Sequence, residues 1–238
     1  MCGRYTLTVT PEMLRTLINF AVTPNLQPRF NIAPTQMAPV VRAQSGAQDG
    51  GGGGNGGGGR KMDMLRWGLI PSWSKDMSVA SKLINARGET VAEKPSFSAA
   101  YRERRCLIPV DGFYEWRPEG DGKQPFRIGF RGGAPFVFAG LWESWTAPPD
   151  AVNAGDVVET FTIITTAAND KLAPIHRRMP VIVDPADFDL WLTGDPANAA
   201  EIIRPYPADE MAFYRVSTRV NNVRNDDAEC IAPLQKAS

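Results

Sequence analysis

Short apolar segments, each closed off by Gly, Pro or Asp, constrain this chain more than any other feature of its sequence. Candidate strands are 39–42, 62–68, 105–110, 125–130, 136–141, 160–166, 180–183 and 212–216, rich in Val, Ile and Phe. Helix signals are few. Thr10-Pro11 reads as an N-cap with Pro at the first helical position, and Met13, Leu14, Leu17 and Ile18 then share one face. Asp184-Pro185 repeats that signal before Phe188, Leu190, Trp191 and Leu192, with Gly194 as a stop. Asp195-Pro196 opens another helix, and Phe97 and Tyr101 mark one more within 96–105. Many short strands and scattered helices predict an α+β fold: a β-rich single domain over 1–238, with an antiparallel barrel-like sheet and a few peripheral helices. The glycine run at 50–59, broken by Asn55, makes 46–60 a flexible loop inserted between two strands. It lacks the GK[ST] ending of a phosphate-cradling loop.

Composition narrows the function classes. Lys plus Arg and Asp plus Glu are 26 each, so the net charge is zero. That excludes a binder with a global positive field and leaves room for a local basic groove. Cys2, Cys106 and Cys230 form no CxxC, so neither a disulfide framework nor a zinc cluster is expected, and Cys106 and Cys230 read as structural. No metal or cofactor is expected. No signal peptide and no apolar run of about 18 residues is visible, so no membrane span is expected and a reducing cytoplasm fits.

The residue with the most distinctive chemistry is Cys2, directly behind the initiator. A small side chain there lets methionine aminopeptidase remove Met1, with autocatalytic removal as the alternative. The exposed residue then carries a free α-amine beside a thiol. An α-amine has a pKa near ~7.7–8, so far more of it is nucleophilic at neutral pH than of a lysine amine. Such an aminothiol condenses with an aldehyde and closes a thiazolidine ring.

Several polar clusters interrupt apolar segments, where a polar group needs a reason to be. In Arg29-Phe30-Asn31-Ile32-Ala33-Pro34, Asn31 either caps a turn before Pro34 or faces a ligand. In Trp67-Gly68-Leu69-Ile70-Pro71-Ser72-Trp73, the tryptophans either pack in the core or form a platform for stacking bases. In Asn85-Ala86-Arg87-Gly88-Glu89-Thr90, Asn85 and Arg87 share one side of an extended chain and suit sugar and phosphate oxygens, or Arg87 pairs with Glu89 at the surface. Glu115, between Tyr114 and Trp116, is either a solvent-facing strand residue or a carboxyl with a raised pKa suited to acid–base work. His176 is the only histidine, and the next two residues are Arg177 and Arg178. It is either structural or the one side chain suited to proton transfer near pH 7. Thr165 and Thr166 precede it by about a dozen residues.

Together these clusters resemble the SOS-response-associated peptidase (SRAP) family of abasic-site processing proteins. The matching motifs are Met1 to Tyr5, Arg29 to Pro34, Trp67 to Trp73, Asn85 to Thr90, Arg105 to Trp116 and His176-Arg177-Arg178-Met179-Pro180, with a tail of Val220-Asn221-Asn222 and Asn225-Asp226. The likeness runs in order from Cys2 to about Ile231, and the glycine run touches none of it. It implies a monomer that binds single-stranded DNA and traps abasic sites as covalent crosslinks. By the same resemblance, the Cys2 amine attacks the sugar aldehyde and its sulfur closes the ring. Glu115 handles protons at the amine, His176 helps open the sugar, and Asn85 holds the N-terminus or the sugar. Arg4, Arg87 and Arg178 bind phosphates, Thr165 bonds a phosphate or the sugar, Trp67 and Trp73 stack on or wedge between bases, and Asn31 joins the DNA contacts. Two other readings stand beside it. One is a thiol peptidase, with Cys2, His176 and Glu115 as nucleophile, base and orienter. The other is a non-covalent reader of modified bases.

Overall fold

The computed structural model describes residues 2–21, 24–44, 59–151 and 154–234. Its strands are β1 (Tyr5–Leu7), β2 (Arg29–Ile32), β3 (Met37–Ala43), β4 (Arg60–Trp67), β5 (Asn85–Arg87), β6 (Arg105–Val110), β7 (Gly112–Glu119), β8 (Gly122–Phe130), β9 (Phe136–Thr146), β10 (Val157–Ala167), β11 (Arg178–Pro180), β12 (Ile182–Val183) and β13 (Met211–Arg215). The helices are α1 (Pro11–Ile18), α2 (Ser98–Glu103), α3 (Phe188–Thr193) and α4 (Pro196–Ala199). Two helix starts follow the expected signals, whereas Asp184-Pro185 opens a 3-10 turn with no side-chain cap and α3 begins after it. Thr10 accepts a hydrogen bond from the Met13 amide, Asp195 accepts one from Ala197, and Gly194 follows the end of α3. Of the expected loop over 46–60, residues 46–58 lie outside the described residues; β4 begins at Arg60.

A β-rich fold with a closed barrel is what the strands build. β4, β3, β6 and β9 pair antiparallel in that order, β9 pairs antiparallel with β10, and β10 returns to β4 to close the ring. That closing pair is parallel, with Thr160 opposite Arg66 and Phe161 opposite Trp67. It is the parallel exception in the expected antiparallel barrel-like sheet. Past Phe161, β5 takes over the same edge of β10, again parallel, with Ile163 opposite Asn85 and Thr165 opposite Arg87. Gly68 makes the exchange possible. It leaves β4 at φ +118°, and a Cβ there would stand 2.7 Å from the Ala80 carbonyl oxygen.

A second, five-stranded sheet runs β13-β8-β7-β1-β2 and lies against the barrel. The contact is aromatic: Tyr5 meets Trp67 at 5.1 Å between ring centroids, and Phe113 meets Phe138 edge-on at 5.6 Å. One continuous apolar core therefore includes residues from Cys2 to Met211. The short strands β1, β2 and β5 carry too few apolar residues to announce themselves, and β7 is interrupted by Glu115 and Arg117. The segment 180–183 divides into β11 and β12 because Val181 turns between them, donating to Ile164 and accepting from Ala139.

Buried charge ties the strands of this second sheet together. Asp111, 2% exposed, accepts from the Thr6 hydroxyl, from the Thr8 amide at 2.6 Å and the Thr8 hydroxyl, and pairs with Arg127 at 3.2 Å. It pins β1 to the start of β7 and to β8. Replacing Asp111 by Ala strands these donors and the half-buried Arg127, so urea unfolding should show a loss of about 3 kcal/mol. A loss under about 0.5 kcal/mol, the range of ordinary surface changes, would contradict this account of how β1 is held.

Candidate active site

The N-terminal segment enters the protein where the two sheets meet. Cys2 is fully buried, just ahead of β1, and Met1 lies outside the described residues. The Asn85 side-chain amide on β5 donates to the Cys2 carbonyl at 2.8 Å, a barrel residue gripping the chain's first turn. The other Asn85 side-chain atom, Oδ1, is buried with no hydrogen-bond partner among the described residues. From the opposite side comes β7, whose Tyr114 amide bonds the Arg4 carbonyl. On β7, Glu115 points to the same face as the core residue Phe113. It is 4% exposed, so the solvent-facing reading of Glu115 is corrected.

His176 completes the group from the connection between β10 and β11. Its Nδ1 lies 3.8 Å from Glu115 Oε1 and 3.1 Å from both the amide and the carbonyl oxygen of Arg178. The neutral ring can accept from that amide and the charged ring can donate to that carbonyl. Burial pulls the His176 pKa down, with Arg177 and Arg178 acting in the same direction, so the neutral ring is the form favoured at pH 7. Burial pushes the Glu115 carboxyl up from 4.5 to about 7. Burial also pushes the Cys2 thiol well above its ordinary range, and the Glu115 charge adds to it. The thiol donates to the Arg4 carbonyl at 3.7 Å, not to a base.

Two adjoining clefts open at His176. One, of about 500 Å³, is lined by Arg4, Glu115, Trp116, Lys123, His176 and Asn221. The other, of about 460 Å³, is lined by Arg87, His176, Arg177 and Arg178. The structure thus brings together Cys2, Asn85, Glu115, His176, Arg4, Arg87 and Arg178. Other expected contacts are corrected. Trp67 is fully buried, stacked on Phe161, with its indole N–H on the Ile84 carbonyl, so no face is open to a base. Trp73 is 64% exposed but lines neither cleft.

Asn31 is fully buried and does not cap the turn before Pro34. It donates to the carbonyls of Val220, Asn222 and Asn225 and accepts from Arg4 at 2.9 Å, clamping the C-terminal segment. Thr165 is fully buried and touches Arg178 and the Ala86 carbonyl instead of solvent. Glu89 pairs with Arg178, not with Arg87. Sequence reasoning passed over Lys123 and gave no role to Trp116 or Asn221, whose side chains bond at 2.7 Å on the cleft wall. Only the position of Trp116 beside Glu115 hinted at this.

The family model described as SOS response associated peptidase (SRAP) matches residues 1–223. The chain belongs to the SRAP family. Among its relatives, the abasic site processing protein YoqW of Bacillus subtilis (strain 168) is 38% identical over 97% of this chain and 99% of its own length. The abasic site processing protein HMCES of Gallus gallus is 34% identical over 88% of this chain and 67% of its own length. A crystal structure of a Bacteroides thetaiotaomicron protein shares the fold, with a TM-score of 0.81 over 98% of this chain and all of that one at 24% identity. No described helix is long and apolar enough to cross a membrane, and the described residues hold no metal-ligating cluster.

The raised Glu115 pKa of this SRAP chain carries a stability signature. The folded state holds the proton more tightly, so the contribution is complete below pH 4.5 and is lost as pH rises through about 7. Relative to Glu115→Gln, wild type should therefore lose up to about 3 kcal/mol between pH 4 and pH 8 in urea unfolding. A difference that does not vary with pH would mean that Glu115 is not desolvated in solution.

Proposed function

We propose that this protein binds single-stranded DNA and captures abasic sites by forming a thiazolidine between Cys2 and the open-chain sugar aldehyde. The observation that carries the reading is the convergence of Asn85, Glu115 and His176 on the N-terminal segment, at the junction of two arginine-lined clefts. The names of the curated SRAP relatives support the same substrate.

The chemistry follows from the protonation states. Removal of Met1 leaves the α-amine on Cys2, whose carbonyl is held by the Asn85 amide and whose thiol feels the Glu115 charge. An abasic sugar is mostly a closed hemiacetal. Opening it takes a proton from the C1′ hydroxyl, breaks the C1′–O4′ bond and gives a proton to O4′. Glu115, poised near pH 7, and neutral His176 are a matched pair for that exchange. The amine then adds to C1′, and loss of water leaves a Schiff base. The thiol adds across the C=N bond, its proton moving to nitrogen, and the ring closes. Phosphates on either side of the lesion meet Arg4, Arg87 and Arg178, which suits a chain of zero net charge because a narrow basic track needs few cations.

The thiol peptidase reading fits these observations less well. A cysteine nucleophile is normally activated by a lowered pKa and a neighbouring base. Here burial raises the thiol pKa, and its hydrogen bond goes to a carbonyl. For the aminothiol chemistry, an amine that attacks first makes a preformed thiolate unnecessary.

Mature protein mixed with single-stranded DNA carrying one abasic site should give a heat-stable protein–DNA band on a denaturing gel. Cys2→Ala should lower its yield at least tenfold, and so should a variant that retains residue 1. Equal yield from Cys2→Ala would overturn the thiazolidine, and equal yield from the extended variant would overturn the α-amine as nucleophile.

A further inference from the structure

Three arginines line the second cleft, and they are not equivalent. Arg87 and Arg177 are exposed. Among the described residues, Arg178 alone of the three is forked to a carboxylate, its Nη1 and Nη2 reaching the two oxygens of Glu89, one of them at 2.9 Å. Arg178 is also fixed from behind. Its Nη2 donates to the Thr165 carbonyl at 2.6 Å and the Thr165 hydroxyl at 3.2 Å, and its side chain is 15% exposed. The carboxylate it holds is 52% exposed. The fork that a guanidinium offers a carboxylate is the same fork it offers a phosphate. The side of Arg178 that would take a phosphate therefore already holds an anion.

Glu89 stands on a short turn, Gly88–Thr90, whose backbone is closely packed. A Cβ on Gly88 would stand 2.2 Å from Ile203 Cγ2 and 3.2 Å from the Thr165 carbonyl oxygen, so the turn is pressed against the barrel. The Glu89 side chain is the part that reaches solvent. The pairing with Arg178 holds the Glu89 carboxyl below its ordinary range, so it remains an anion at neutral pH.

We infer that Glu89 is a built-in competitor for the phosphate seat on Arg178, setting how strongly this cleft takes up a DNA strand. The inference rests on the DNA-binding reading above. A strand gains full use of Arg178 only when its other contacts are good enough to displace the carboxylate. Strands that also engage the cleft lined by Arg4, Glu115 and His176 meet that condition, and strands that touch only the basic wall do not. Glu89 thereby sharpens the difference between abasic and intact single strands. A purely positioning role for Glu89 makes the opposite forecast, because an unsupported Arg178 would bind phosphate less well.

The test is fluorescence anisotropy with intact and abasic single-stranded oligonucleotides across a salt series, on wild type, Glu89→Gln, Arg178→Ala and the double variant. All carry Cys2→Ala so that binding stays reversible. Glu89→Gln should bind the intact strand about fivefold more tightly, equivalent to about 1 kcal/mol, with a log–log salt slope steeper by about 0.7. It should gain less on the abasic strand. In the Arg178→Ala background the gain should disappear, which separates competition for one guanidinium from general removal of a negative charge. Glu89→Asp, too short to span the fork, should fall between wild type and Glu89→Gln and serves as a second variant. Unchanged or weaker binding by Glu89→Gln, or a gain that persists without Arg178, overturns the inference while leaving the DNA-binding reading intact. Failure of the Cys2→Ala parent to bind either strand overturns both.

Discussion

The divided edge of β10 is the constraint on which the rest of the structure depends. One half of that edge pairs with β4 and closes the barrel, and the other half pairs with β5. The opposite edge passes from β9 to β11. A single strand therefore positions Asn85, Arg87, Thr165 and Arg178 relative to one another. Gly68, the only residue type that suits its backbone angle and its approach to Ala80, lets the chain leave β4 so that β5 can take its place. The second sheet then needs only to bring β1 and β7 against this frame. Asp111 fixes β1 to β7 and β8 within that sheet by hydrogen bonds that a dry interior makes costly to break.

Electrostatics follow from that placement. The same desolvation that excludes water raises the Glu115 carboxyl to about 7, pulls His176 down and keeps the Cys2 thiol protonated. The site is thus tuned for exchanging protons near neutrality and not for a preformed thiolate. The arginines are divided in their duties. Arg4 is held by Asn31 and by the carbonyls of Val220 and Asn221, so the C-terminal segment helps define the first cleft. Arg178 is braced by Thr165 and occupied by Glu89. Arg87 and Arg177 are exposed beside it.

The sequence spoke most clearly where local rules decide. Thr10-Pro11 and Asp195-Pro196 marked helix starts because a side-chain oxygen followed by proline satisfies the first turn wherever it occurs. The strand β6 was read with its full bounds because every residue in it is buried. What could not be read was direction and partner. Nothing local says that Asn31 turns inward to clamp a segment almost two hundred residues away, that Trp67 packs on Phe161, or that Glu89 chooses Arg178 over Arg87 two positions earlier. The parallel pairs of β10 were equally hidden, since they depend on where the chain returns. Cys2, Asn85, Glu115 and His176 were named through the family's motifs, and their meeting is a tertiary fact.

The central claim is that the N-terminal residue itself supplies both atoms that bind the sugar. Peptide mapping by mass spectrometry of the adduct formed between mature protein and an abasic oligonucleotide, with and without borohydride, tests it most directly. The account predicts that the sugar is attached to the peptide beginning at Cys2, at a total mass short by one water, and that borohydride leaves the closed ring unchanged. An adduct mapped to a lysine, or one at Cys2 that takes up hydrogen throughout and so never closed its ring, would contradict it.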